Sequence, residues 1–202
     1  MSPSSRSKTD LGPVLPPIVL ASASPRRRAL LAEHGYSFSV APADVTEIAP
    51  PYLTPGETVL FNARLKAAAL AGKNPGSLVL GVDTLVALKG RIFGKPSDMA
   101  EAERMLAELV GRTHEVFSGV WLIGSDRERG FVEITRVRFR ALPAAARRTY
   151  LERIAPLDKA GAYAAQDDQG ELIENIEGSL SNVIGLPMER LKTALEEFAL
   201  QS

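Results

Sequence analysis

The sequence predicts a mixed α/β fold with α+β character, a sheet of mixed direction flanked by helices. Three observations carry this. Val- and Leu-rich strand patterns and capped helical patterns are interleaved without strict βαβ alternation. The 202 residues suit one large domain or two small lobes. Hydrophobic residues at 45% and charged residues at 24% are those of an ordinary globular chain able to bury a core.

The elements follow in order. Ile18 to Ala21 reads as a short buried strand. Ser24 then stands as an N-cap with Pro25 at the first helical position, and the helix runs to about His34 with Gly35 as its left-handed stop. Tyr36 to Ala41 is a second strand, and Pro42 to Leu53 a loop carrying Asp44 and Glu47. Thr54-Pro55-Gly56-Glu57 is a capping box opening a helix that stops near Gly72. Ser77 to Leu88 is a Val/Leu-rich strand, Lys89-Gly90 a turn and Arg91 to Phe93 the return. Asp98 caps a helix closed by Gly111. Thr113 to Ile123 and Phe131 to Arg140 are long strands joined by a polar turn at Ser125 to Gly130. Pro143 opens a helix ending near Ile154, "PLDKAGAYAAQDDQG" is loop-like, and Glu171 to Glu177 is a strand. Pro187 starts the last helix.

Composition narrows the chemistry. Lys plus Arg equals Asp plus Glu, 24 each, so the chain has no general attraction for nucleic acid or an acidic membrane, and anion binding has to be local. No cysteine is present, which removes disulfides, thiolate nucleophiles and thiolate-held zinc. Two histidines, His34 and His114, are too few for a three-histidine zinc site, so a metal would be a hard cation on carboxylates and substrate oxygens. No GxSxG, P-loop or GxGxxG motif occurs, and both histidines read as structural. No apolar run is long enough to span a bilayer. Residues 1–17 lack the apolar core of a secretory signal and read as a flexible tail before a single domain over 18–202; a cytoplasmic location is expected.

Five stretches could carry chemistry. In "LASASPRRRALL", the serines Ser22 and Ser24, a helix N-terminus and the forks of Arg26 and Arg27 suit a polyphosphate, although solvated arginines on a capped helix are an equal reading. In "GVDTLV", Asp83 interrupts an apolar strand; a buried carboxylate is costly unless paired or bound, which points to a general base or a cation ligand rather than a turn. Lys66 and Lys95 suit phosphate oxygens, and each taken singly is more often an ordinary surface lysine. In the loop after Pro156, Gln166 offers both a donor and an acceptor to a base edge, while Asp167 and Asp168 suit a solvated acidic loop.

Taken jointly, "LASASPRRRALL", "NARLKA", "GVDTLV", "GKPSD", "GRTHEV", "LDKAGAY" and "GLPMERL", in this order over roughly Ile18 to Phe198, resemble the Maf family of nucleoside triphosphate pyrophosphatases. The resemblance implies the fold of the inosine triphosphate pyrophosphatases, with two lobes around a central cleft. It also implies hydrolysis of a nucleoside triphosphate to monophosphate and pyrophosphate with Mg²⁺ or Mn²⁺, and a cytoplasmic homodimer. It makes Asp83 catalytic and, with Glu47, metal-binding. Ser22, Ser24, Arg26, Arg27, Lys66 and Lys95 fall to phosphate binding. Arg26, Thr84 and Gln166 match the dTTP/UTP branch, whose reach could extend to CTP or modified pyrimidine nucleotides. The alternatives are the 7-methyl-GTP branch and a non-catalytic nucleotide-binding regulator linked to cell division. The family's "GAYGIQGxG" is "GAYAAQDDQG" here, and its "SGR" is "VGR"; the first departure bears on base recognition.

Overall fold

The computed structural model describes residues 15–200. Of the tail expected over 1–17, residues 1–14 lie outside the described residues. Strands β1 (Ile18–Leu20), β2 (Phe38–Val40), β3 (Leu78–Leu88), β4 (Arg91–Phe93), β5 (Thr113–Ile123), β6 (Glu128–Phe139) and β7 (Ile173–Glu177) form one seven-stranded sheet in the order β2-β1-β3-β5-β6-β7, with β4 also on β3. β1 pairs in parallel with β2 and β3, and every other pairing is antiparallel, so the sheet is mixed as expected. The helices are α1 (Pro25–Glu33), α2 (Pro55–Ala71), α3 (Met99–Leu109), α4 (Ala144–Ile154), α5 (Leu180–Ile184) and α6 (Met188–Leu200). None among the described residues is long and apolar enough to cross a membrane.

The capping box of α2 forms as its sequence dictates. The Thr54 hydroxyl accepts from Glu57 N–H at 3.3 Å, and the Glu57 carboxylate takes the Thr54 N–H at 2.8 Å. The helix then lies directly on the sheet. Gly81 on β3 and Gly119 on β5 leave room for its backbone: a Cβ would come within 2.0 Å of the Ala63 carbonyl at Gly81, and within 2.3 Å of the Val59 carbonyl at Gly119. Leu70, Ala67, Val79 and Val19 seal one end of this contact, and Val59, Leu85 and Phe117 the other.

The opposite sheet face is divided. Leu78, Leu80 and Val82 of β3 with Val120 and Leu122 of β5 pack under α1 and α6. Val86 and Leu88 of β3 with Val116 of β5 pack under α3 and α4. Between the two cores, at the alternate positions, stand Thr84 and its cross-strand partner Ser118, their hydroxyls 2.9 Å apart. A polar pair thus marks the boundary between two apolar clusters.

Three local features depart from the sequence-based expectation. The β5–β6 turn is tighter than Ser125 to Gly130: Gly124 N–H bonds the Arg127 carbonyl at 2.9 Å, and β6 starts at Glu128. Gly130 is not a turn residue but the partner of Trp121, whose indole occupies the space of the missing side chain. The segment after Pro156 contains three single 3₁₀ turns, Pro156–Asp158, Ala160–Ala162 and Ala165–Asp167. The short helix α5, capped by the Ser179 hydroxyl on Asn182 N–H at 3.0 Å, precedes the last helix.

Candidate active site

The site begins with a gap in the sheet. Along one edge of β3, β1 pairs with Leu78 to Leu80 and β4 with Val86 to Leu88, leaving 81–85 without a strand neighbour on that side. An edge carbonyl inside a protein needs a donor. The Val82 carbonyl finds two: Arg27 Nη1 at 3.0 Å from one sheet face and Lys66 Nζ at 3.2 Å from the other. Two sequence-predicted cations are therefore drawn to the same notch by the backbone itself.

Asp83 sits in that notch, 7% exposed, in an unbroken strand, which rules out the turn reading. Its carboxylate accepts from Lys66 at 2.7 Å through Oδ1 and from Asn62 Nδ2 at 3.1 Å through Oδ2. Asn62 and Lys66 lie one turn apart on the buried face of α2, at i and i+4. Lys66 also meets Glu47 at 2.6 Å, so Glu47 and Asp83 converge on one ammonium. Lys66 is buried, unlike an ordinary surface lysine.

Arg27 is held on all sides. It donates to the Gly185 carbonyl (2.9 Å), Ser22 Oγ (2.9 Å) and Thr84 Oγ1 (3.0 Å) besides Val82. Burial pushes this guanidinium below its ordinary value while Asp83 opposes the shift, and arginine stays charged all the same. Ser24 occupies the N-cap position of α1, yet its hydroxyl makes no capping bond, and no acidic residue stands in the first turn. The helix start therefore faces the cleft with no side-chain cap of its own.

On the far rim, Arg26 pairs with Asp158 at 3.0 Å, and Lys159 meets the same carboxylate at 2.6 Å. Burial alone would raise Asp158; Lys159 and Arg26 together hold it below the usual carboxylate range. Gly161 is left-handed (φ 70°), and its N–H donates to the Gly94 carbonyl at 3.0 Å, which sets the 3₁₀ segment against the Gly94-Lys95 loop. Gln166 is exposed and bonds Asp167 at 3.2 Å; Asp168 accepts from Leu172 and Ile173 N–H groups and so is not a free loop acid.

All ten residues singled out in the sequence line one cavity of about 680 Å³. Arg26, Arg27, Lys66, Lys95 and Lys159 face Glu47, Asp83 and Asp158 there, a positive balance inside a neutral chain. That volume is in the range of small-molecule sites. Lys95 is exposed at the mouth. Asn62, Lys159 and Asp158 were not assigned roles from the sequence; the signal available for Asn62 was its spacing to Lys66. Both histidines stand apart: His34 Nδ1 lies 2.8 Å from the Leu30 carbonyl, and His114 is buried with Nε2 3.1 Å from the Tyr163 hydroxyl.

A mixed sheet with a notched edge, cations from both faces and a buried carboxylate between them defines an α/β protein built to hold a polyanion beside an acid. The family model described as Maf-like protein matches residues 17–198, and the chain belongs to that family. It is 43% identical to the dTTP/UTP pyrophosphatase of Exiguobacterium sibiricum over 92% of this chain and 94% of that one. It is 46% identical to the dTTP/UTP pyrophosphatase of Myxococcus xanthus over 91% and 93%. The same name belongs to a Pelotomaculum thermopropionicum relative, 45% identical over 90% and 96%. A looser likeness, TM-score 0.44 at 22% identity over 60% of this chain and 71% of the other, is to the Staphylococcus aureus Ham1 protein.

Proposed function

We propose that the chain is a nucleoside triphosphate pyrophosphatase hydrolysing dTTP and UTP to the monophosphate and pyrophosphate. The observation that carries the proposal is the convergence of Glu47 and Asp83 on Lys66 in a cavity otherwise rich in cations. The names of the three relatives support the same reading.

The triphosphate lies across the notch against the start of α1, its oxygens shared among the α1 backbone, Ser22, Ser24, Arg26, Lys66 and Lys95. Arg27, fully engaged by the scaffold, contributes its charge from beneath rather than a free fork. Asp83 takes the proton of the attacking water: each of its oxygens accepts one donor in the structure and keeps a second lone-pair direction for that proton. The water oxygen bonds the α-phosphorus, the bond from that phosphorus to the bridging oxygen breaks, and pyrophosphate departs with both electrons. Arg26, Thr84 and Gln166 meet the base and sugar.

The donor set fits a hard divalent cation. Two carboxylates reach one point, and no cluster of three or more His, Cys, Asp or Glu side chains exists among the described residues. Mg²⁺ or Mn²⁺ takes such a site when substrate oxygens complete the shell. Glu47 and Asp83 would hold it, and it would neutralise charge building on the phosphate oxygens.

The test is pyrophosphate release over dTTP, UTP, CTP, GTP and 7-methyl-GTP with Mg²⁺ or Mn²⁺. Turnover of dTTP and UTP above the others is expected, and Asp83→Asn should lower kcat by about 10²–10⁴-fold. No turnover of any nucleotide, or an undiminished Asp83→Asn enzyme, overturns the assignment.

A further inference from the structure

Glu47 lies on the loop 41–54, which has no regular secondary structure, whereas Asp83 is fixed in the central strand. Lys66 bridges the two, but Lys66 is also needed at the phosphates. A side chain that leaves cannot be what keeps the carboxylates converged. Asn62 supplies a second tie. Its Oδ1 accepts from Ile48 N–H at 3.0 Å, and its Nδ2 donates to the Ile48 carbonyl at 3.0 Å and to Asp83 Oδ2 at 3.1 Å. All three bonds come from one amide that is 3% exposed. Ile48 is the chain neighbour of Glu47. The amide therefore grips the backbone beside one carboxylate at two points and the other carboxylate directly.

We infer that Asn62 is the positioning residue that holds Glu47 and Asp83 at a common point independently of Lys66, so that a divalent cation finds both when the ammonium moves to a phosphate. The inference rests on the proposed function only for what the cation is used for; the clamp itself is a property of the protein without substrate. The chemistry is specific to an amide. A carboxylate at position 62 could not donate to Asp83 or to the Ile48 carbonyl, and an aliphatic side chain would leave that carbonyl, the Ile48 N–H and Asp83 Oδ2 each short of one partner.

The experiment is a Mn²⁺ titration, without nucleotide, of the full chain in a Lys66→Met background, where no ammonium bridges Glu47 and Asp83, free Mn²⁺ being read by electron paramagnetic resonance. Asn62→Ala should weaken Mn²⁺ binding by about 10–100-fold, as loss of an outer-shell partner does. In turnover, with Lys66 in place, excess Mn²⁺ should restore much of the kcat of Asn62→Ala. Leu70→Ala, a core truncation in the same helix, should lower thermal stability and leave Mn²⁺ affinity within about 2-fold, since it removes packing alone. Asn62→Ala binding Mn²⁺ as tightly as its Lys66→Met parent, or Leu70→Ala losing affinity equally, overturns the inference. If Asn62→Ala does not fold, the wild-type side-chain amide decides by ¹⁵N NMR: slow exchange and a shift on adding Mg²⁺ are expected, and a fast-exchanging, unshifted signal refutes the clamp. A wild type that binds Mn²⁺ through this clamp but hydrolyses no nucleotide would refute the proposed function and leave the inference standing.

Discussion

Replacing Gly81 by alanine adds one methyl group at a position that touches no substrate. That carbon would lie 2.0 Å from the Ala63 carbonyl oxygen and 2.9 Å from the Ala67 nitrogen and Cβ. All three atoms are in α2, two of them backbone and the third a methyl fixed on it, so no side-chain rotation relieves the clash. Restoring an ordinary contact requires α2 to withdraw by roughly 1–1.5 Å. The helix carries Asn62 and Lys66, now 3.1 and 2.7 Å from Asp83. A withdrawal of that size stretches both bonds to about 4 Å, beyond hydrogen-bonding range. Overpacking of this kind costs about 1–3 kcal/mol, and a misplacement near 1 Å costs about 10²-fold in rate. Gly81→Ala should therefore lose about 10²-fold in kcat/KM for dTTP while still folding. Circular-dichroism melts and pyrophosphate release measure both effects. A variant with wild-type kcat/KM and an unchanged Tm would refute the claim that the helix-to-sheet distance sets the site.

Two further perturbations have equally definite outcomes. Arg27→Lys removes the fork that serves Ser22, Val82, Thr84 and Gly185; a single ammonium cannot reach all four, so a loss of about 1–3 kcal/mol is expected in urea unfolding, and an unchanged midpoint would contradict it. Burial pushes the His114 imidazole down to about 4. Between that value and the unfolded value near 6.5 the unfolded chain binds the extra proton, so this contribution is complete above about pH 6.5 and is lost as pH falls toward 4, roughly 3 kcal/mol in all. His114→Gln should flatten the acid limb of stability against pH, and an identical limb in the variant would remove the assignment.

What could be read from the sequence was local. Thr54 and Glu57, Asp98 with the Glu101 N–H (2.7 Å), and the left-handed Gly35 (φ 77°) satisfy their own helix ends, so their signals lie within four residues. The site's members were legible for a related reason: a carboxylate in a Val/Leu strand and cations beside apolar runs are locally anomalous. Their partners were not. Nothing near Arg26 in the chain announces Asp158, 132 positions away, and Gly130 looks like a turn glycine until Trp121 is seen across the ladder. Ser24 shows the limit most directly. Its position as N-cap follows from Pro25, but whether its hydroxyl turns inward depends on Ser22, whose Oγ takes the Ser24 N–H at 3.3 Å and an Arg27 donor. The short helix α5 escaped notice because it is held by a buried amide, Asn182, bonded to Val116 and Thr135 on two different strands.

The bare stretch of β3 between β1 and β4 has a meaning beyond catalysis. A strand edge with unsatisfied backbone groups invites pairing with any extended chain, including another copy of the same protein. Here two positive side chains already sit on the Val82 carbonyl, and a foreign backbone could dock only by evicting them. The gap in this sheet's pairing is thus filled by charges that also line the cavity.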